Sequence, residues 1–167
     1  MAYRNRVYVC FDGDSDIHYY RLMMAWHQND RTPFNFSNAH DLNYARDSSQ
    51  ESSIKAQLRV RLLNSKTFVV LIGENTRYLQ KFVRWEMEQA LALDLPIIGV
   101  NLNGLRSQDT SRCPPIIRNE LAIYVSFNVA ILQYALEHWP EYRKQLSASG
   151  KNGPFFYPTS IYQQLAL

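Results

Sequence analysis

A chain of 167 residues, 46% hydrophobic and 20% charged, has the size and make-up of one globular domain with its own core, which excludes a disordered chain and one that needs disulfide staples. The net charge of +3 is not gathered on one face, because the densest basic run (Lys55, Arg59, Arg61 and Lys66) spreads around a helix, and this argues against a nucleic-acid partner. Two cysteines, Cys10 and Cys113, make no disulfide framework, and no run approaches the roughly 18 apolar residues of a membrane span; a reduced, cytoplasmic protein with no membrane partner is expected.

In chain order, the opening MAYRNR lacks the apolar segment of a signal peptide and runs into "RVYVCF", Arg6 to Phe11, which reads as a short buried strand. The acidic loop "DGDSD" follows, then a helix whose Tyr19, Leu22, Met23 and Trp26 share a face. Phe34 and Phe36 alternate in a short second strand, followed by a polar loop. Ser48-Ser49-Gln50-Glu51 has the form of a capping box opening a helix through Ile54, Leu58 and Leu62. "KTFVVLIG" is a continuous apolar run of the kind covered on both faces in a parallel sheet.

A helix is predicted over Lys81 to Asp94, then the apolar run "LPIIGVNLNG", the loop "LRSQDTSRCPP", the strand "LAIYVSF" and a helix "NVAILQYALEHW" that stops at Pro140. The remainder, about residues 140–167, is too apolar for a disordered tail and is expected to pack back as an extension of a single domain spanning 1–167. This alternation predicts an α/β architecture: a mostly parallel sheet with helices on both faces, whose ligands bind outside the carboxyl ends of the strands.

Several chemistries are absent. There is no G-x-G-x-x-G or Walker-type phosphate loop, no G-x-S-x-G elbow, and His18, His27, His40 and His138 lack ligand spacing, so no metal is expected. The acidic loop at Asp12 would suit a phospho-receiver, but the third apolar strand ends in "LIG" without an Asp and the last in "SFN" without a Lys. Its plainer reading is a helix cap with dipole-complementing carboxylates.

Glu86 is the most informative single residue. On the helical wheel Val83, Met87, Ala90 and Leu91 form an apolar stripe widened by Phe82 and Trp85, and Glu86 lies between Val83 and Ala90. Glu88, about 200° away, faces solvent. On spacing alone Glu86 reads as an edge carboxylate paired with Arg84 or Lys81.

The ordered set "VYVCF-D", "KTFVVLIGENT" and "FVRWEMEQAL…LPIIGVNLNG", from Arg6 to about Phe127, resembles the TIR-like domain of the Toll/interleukin-1 receptor superfamily, most of all the bacterial branch of the Thoeris anti-phage defence systems. Two departures stand out: Phe82 occupies the position of a family Trp, and "CFDGDSD" replaces a Ser-Phe pair after the first strand. The resemblance implies a flavodoxin-like three-layer fold with a five-stranded, mostly parallel sheet. It further implies cleavage of the nicotinamide–ribose bond of NAD as substrate, with no cofactor. In the family, a cyclic or otherwise modified ADP-ribose made on phage infection activates a partner effector, so a phage-derived trigger and a homo-oligomer join the expected partners.

Residue by residue, the resemblance makes Glu86 catalytic and places Phe82 beside it. Phe11 and Asp12, at the mouth of the first strand, and His40, Asp41 and Asn43, in the loop that closes over the nucleotide in relatives, are the substrate-binding candidates. The bland alternatives are a core aromatic for Phe11 and a turn pair for His40 and Asp41. Two rivals stand beside the enzyme: a non-catalytic TIR-like interaction module, and a flavodoxin-like binder of a nucleotide or flavin.

Overall fold

Strands that are apolar on both sides need cover on both sides, and the chain meets this with one sheet between two helical layers. The computed structural model describes residues 6–28, 35–37 and 51–167, with residues 35–37 described by their backbone alone. Its elements are β1 (Arg6–Cys10), α1 (Ile17–Gln28), β2 (Asn35–Ser37), α2 (Glu51–Leu63), β3 (Thr67–Ile72), α3 (Val83–Ala92), β4 (Ile97–Asn101), β5 (Ala122–Ser126), α4 (Val129–Ala148), β6 (Phe155–Phe156) and α5 (Thr159–Gln164). Short 3-10 turns at Thr76–Tyr78 and Pro115–Ile117 lie in the connections after β3 and β4.

The strands run in the order β2-β1-β3-β4-β5-β6, and every neighbouring pair is parallel. The α/β, flavodoxin-like expectation therefore holds, with one addition: the tail supplies a sixth, two-residue strand, Phe155 and Phe156 pairing with Ile123 and Tyr124. Chain direction across the sheet reverses between β1 and β3. That reversal opens a crevice at the carboxyl ends of these two strands, the usual place for a ligand in such sheets.

Side-chain alternation sorts the core into two clusters. Val7, Val9, Phe11, Val69, Leu71, Val100, Ile123 and Val125 point to one face, where they meet Tyr20 and Met23 of α1 and Ile131, Leu136 and Trp139 of α4. Tyr8, Cys10, Phe68, Val70, Ile72 and Tyr124 point to the other, against Ile54, Leu58 and Leu62 of α2 and Val83, Met87 and Ala90 of α3. Since β3–α3–β4 and β5–α4–β6 step across the sheet in the same direction but on opposite faces, the two crossovers have opposite hands.

Three expectations need correction. The predicted stop at Pro140 fails, because α4 runs through it to Ala148. Pro140 lacks the N–H that an interior helical residue donates, but Trp139 before it and Leu146 beyond it are both buried, and that packing carries the helix on. The helix predicted from Lys81 starts at Val83, behind Phe82 at the N-cap position. Leu91, placed on the buried stripe of this helix, is only partly buried. The capping-box residues Ser48, Ser49 and Gln50, and Phe34 of the predicted second strand, lie outside the described residues.

Candidate functional site

The crevice between β1 and β3 is built from the loops that leave these strands and from the first turn of α3. At the end of β1 the chain makes a tight acidic turn. One Asp12 carboxylate oxygen accepts the backbone N–H groups of Asp14 and Ser15 at 3.0 and 3.3 Å, and the Asp12 carbonyl accepts the N–H of Asp16 at 2.9 Å. Asp12 thus folds its own loop, the turn chemistry for which aspartate is favoured. Phe11, just before it, is buried and stacks on Tyr20 with ring centroids 4.6 Å apart, on the α1 side of the sheet.

Asp16 was not singled out by the sequence reading, yet it is a buried acid of this rim. It is 7% exposed, and its Oδ2 has no hydrogen-bond partner among the described residues. Burial, and then the neighbouring Asp12 carboxylate, push its pKa above the ordinary value; His18 and Arg112 pull it back, and Glu74 adds to the rise. The carboxyl lies against the backbone of Gly73 at the end of β3, where a β-carbon would come within 2.3 Å of Oδ2. Thr76 finishes that strand end: its hydroxyl accepts the Gly73 N–H at 2.9 Å and donates to the Leu71 carbonyl at 3.3 Å. Glu74 reaches across to Arg112 at 3.3 Å.

The first turn of α3 closes the crevice. The Cys10 thiol of β1 lies 3.9 Å from the Val83 carbonyl oxygen, so the start of this helix sits beside the end of β1. Glu86 occupies that first turn and is 3% exposed, buried with Val83, Met87 and Ala90. Its placement between Val83 and Ala90 is as the wheel predicts, but it is enclosed rather than at an edge. Its sequence neighbours are engaged elsewhere: Arg84 pairs with the exposed Glu88 at 3.0 Å, and Lys81 lies 3.9 Å from Glu51. Phe82 is also buried, and the ammonium groups of Lys55 and Lys81 stand 5.9 and 5.5 Å from its ring centre.

Glu86 and Phe82 thus share one turn of α3, against the end of the strand that leads into Phe11 and Asp12. His40, Asp41 and Asn43 lie outside the described residues, as does Tyr44. The aromatic tail does not cover Glu86: Tyr157 and Tyr162 pack in the cluster on the opposite sheet face.

A second residue that the sequence reading missed is Asn101, at the end of β4. It is 1% exposed, and its Nδ2 donates to the Leu105 and Ser107 carbonyls at 3.0 and 2.7 Å, holding the following loop. The only sequence signal for Asp16 and Asn101 is a polar residue at or just after the end of an apolar strand.

Among the described residues, no three His, Cys, Asp or Glu side chains come together as a metal site, and no helix is long and apolar enough to cross a membrane. The arrangement offers three buried carboxylates at a strand-end crevice, Asp12 and Asp16 in the loop after β1 and Glu86 one helical turn from the buried ring of Phe82. A family model described as Thoeris protein ThsB, TIR-like domain, matches residues 8–107, which is more than half of the chain and takes in β1, β3, α3 and β4.

Proposed function

The chain belongs to the TIR-like family of Thoeris protein ThsB, and from that premise we propose that it cleaves the nicotinamide–ribose bond of NAD and makes a modified ADP-ribose that signals to a partner effector. The observation that carries this reading is Glu86: a carboxylate 3% exposed in the first turn of α3, at the crevice between β1 and β3.

The chemistry suits a single carboxylate. The bond between ribose C1′ and the pyridinium nitrogen breaks with its electron pair going to nitrogen, so nicotinamide leaves neutral. No general acid is needed, unlike departure of an alkoxide in glycoside hydrolysis. Positive charge develops on the ribose ring, and a fixed carboxylate can stabilise it while accepting hydrogen bonds from ribose hydroxyls. The apolar neighbours Val83 and Met87 lower the local dielectric and strengthen that attraction. A nucleophile then adds at C1′ and releases a proton: water gives ADP-ribose, and a group of the same nucleotide gives a cyclic product. Phe82, Phe11 and Asp12, with His40, Asp41 and Asn43, are proposed to shape the nucleotide pocket around Glu86. A phage-derived trigger and self-assembly belong to the same proposal.

The test compares cells expressing the wild-type chain with cells expressing Glu86→Gln, with and without phage infection, following NAD and ADP-ribose species by mass spectrometry. NAD loss and a new ADP-ribose species in wild type alone are expected. Equal NAD loss in the variant would remove Glu86 from the reaction. No difference across several unrelated phages would favour an interaction module.

A further inference from the structure

On the sheet face away from Glu86, α4 and the tail enclose a groove of about 460 Å³, within the range of small-ligand sites. Its walls are aromatic. Tyr134 stacks on His138 with centroids 4.1 Å apart and meets Tyr157 edge-on at 5.2 Å, and Tyr142 lines the same groove. Two carboxylates stand on its rim, Glu137 and Glu141, one helical turn apart.

Like charges four residues apart on a helix disfavour each other, and the partners of this pair are weak. The nearest to Glu137 is the neutral amide of Gln133 at 3.3 Å, and the nearest to Glu141 is Lys144 at 4.0 Å, with both members of the latter pair well exposed. Arg143, the other cation of this stretch, is committed to Asp94 at 2.5 Å. In a chain of net charge +3, this is a local acidic site lined with aromatic rings, Tyr142 being the most exposed of its tyrosines. Aromatic faces attract cations through their quadrupole, and a guanidinium can lie flat on a ring while forking onto a carboxylate.

We propose that the groove formed by Tyr134, His138, Tyr142 and Tyr157 beneath Glu137 and Glu141 is a docking pocket for an arginine side chain presented by a partner protein. The groove belongs to the α1/α4 layer, on the sheet face opposite Glu86, and none of its residues is part of the proposed NAD site, so this inference does not rest on the catalytic reading.

The test titrates the isotope-labelled full chain with acetyl-Gly-Arg-Gly-amide and follows backbone amide resonances by NMR. Saturable shifts are expected at residues 134–142 and 157–161. The same peptide carrying citrulline, which keeps the shape and loses the charge, is expected to give none. Glu137→Gln combined with Glu141→Gln is expected to weaken the arginine peptide about five- to tenfold. Both carboxylates are exposed, so the double variant keeps its fold, and its unchanged resonances elsewhere check this. No saturable shift, an equal response to citrulline, or a response untouched by the double variant would each overturn the proposal.

Discussion

Glu86 and Asp16 are both buried carboxylates at the same end of the sheet, yet substitution separates them. Glu86→Gln keeps the shape and the hydrogen-bonding capacity of the side chain and drops the charge, so the variant is expected to melt cooperatively as a folded protein while NAD turnover is lost. Loss of the cooperative melt would make the activity result uninformative. For Asp16 the argument is about pH. Burial, then Asp12, raises its folded pKa above its value in the unfolded chain. Between those two values the folded state binds more protons, so stability falls as pH rises through the folded value and is fully retained below the unfolded one, about 4. Asp16→Asn keeps the shape of the side chain but carries no charge. Thermal melts from about pH 4 to pH 7 are expected to show a flatter profile than wild type and a higher melting temperature at neutral pH; a lower one would refute the assignment. Gly73 belongs with Asp16, since its missing side chain is the space the carboxyl fills. Gly73→Ala is expected to cost roughly 1–3 kcal/mol in denaturant unfolding, and less when combined with Asp16→Ala.

Among the elements, β3 and α3 were the most legible in sequence, while the half of α4 beyond Pro140 was not. β3 declares itself by the continuous, largely β-branched apolar run Phe68 to Ile72, which suits a covered central strand, and all six residues from Thr67 to Ile72 are buried. α3 declares itself by its apolar stripe. The wheel placed Glu86 beside that stripe, but it could not tell an edge from an enclosure, because enclosure depends on β1 packing against the helix start, Cys10 against Val83, 73 residues apart in the chain. Pro140 misled for the same reason: local chemistry says stop, while burial of Trp139 and Leu146 on one helix says continue. Local propensity is a weak prior that tertiary packing overrides. Pro140→Ala would return a backbone N–H donor to α4. It is expected to raise stability, with a ceiling of about 3 kcal/mol set by the proline penalty in a helix interior, as read from the urea midpoint. A loss of stability would mean that the ring itself packs well enough to justify its place.

At the scale of the molecule, the alternation of strands and helices foretold the parallel sheet and its two helical layers, while the sixth strand and the tail's seat did not follow from pattern. Two residues, Phe155 and Phe156, are too short a run to read as a strand. Tyr162 is recognisable as core only once its hydroxyl is seen 3.4 Å from the N–H of Ser126 and its ring beneath Arg106 at 4.2 Å. Tyr157 and Tyr162 are 9% and 0% exposed, so the tail belongs to the core rather than decorating it. Removing residues 153–167 is expected to cost roughly 3–6 kcal/mol, at 1.5–3 kcal/mol for each large buried side chain, measured as a lower urea midpoint. A midpoint unchanged by the truncation would show that the tail is an appendage.

The sheet also acts as a partition. Side chains from one strand alternate to α1 and α4 on one side and to α2 and α3 on the other, so no strand side chain touches both layers. A ligand bound on one face can influence the other through the strands, which a paired, buried parallel sheet resists, or through a link such as Arg143 of α4 with Asp94 behind α3, an exposed ion pair that couples weakly. The coupling free energy between the Glu86 crevice and the α4 groove is therefore expected to be close to zero in one isolated molecule. Communication between them would have to be created by assembly, when a second copy brings its own α4 face to the neighbour's crevice and two sites that are thermodynamic strangers within a chain become neighbours between chains.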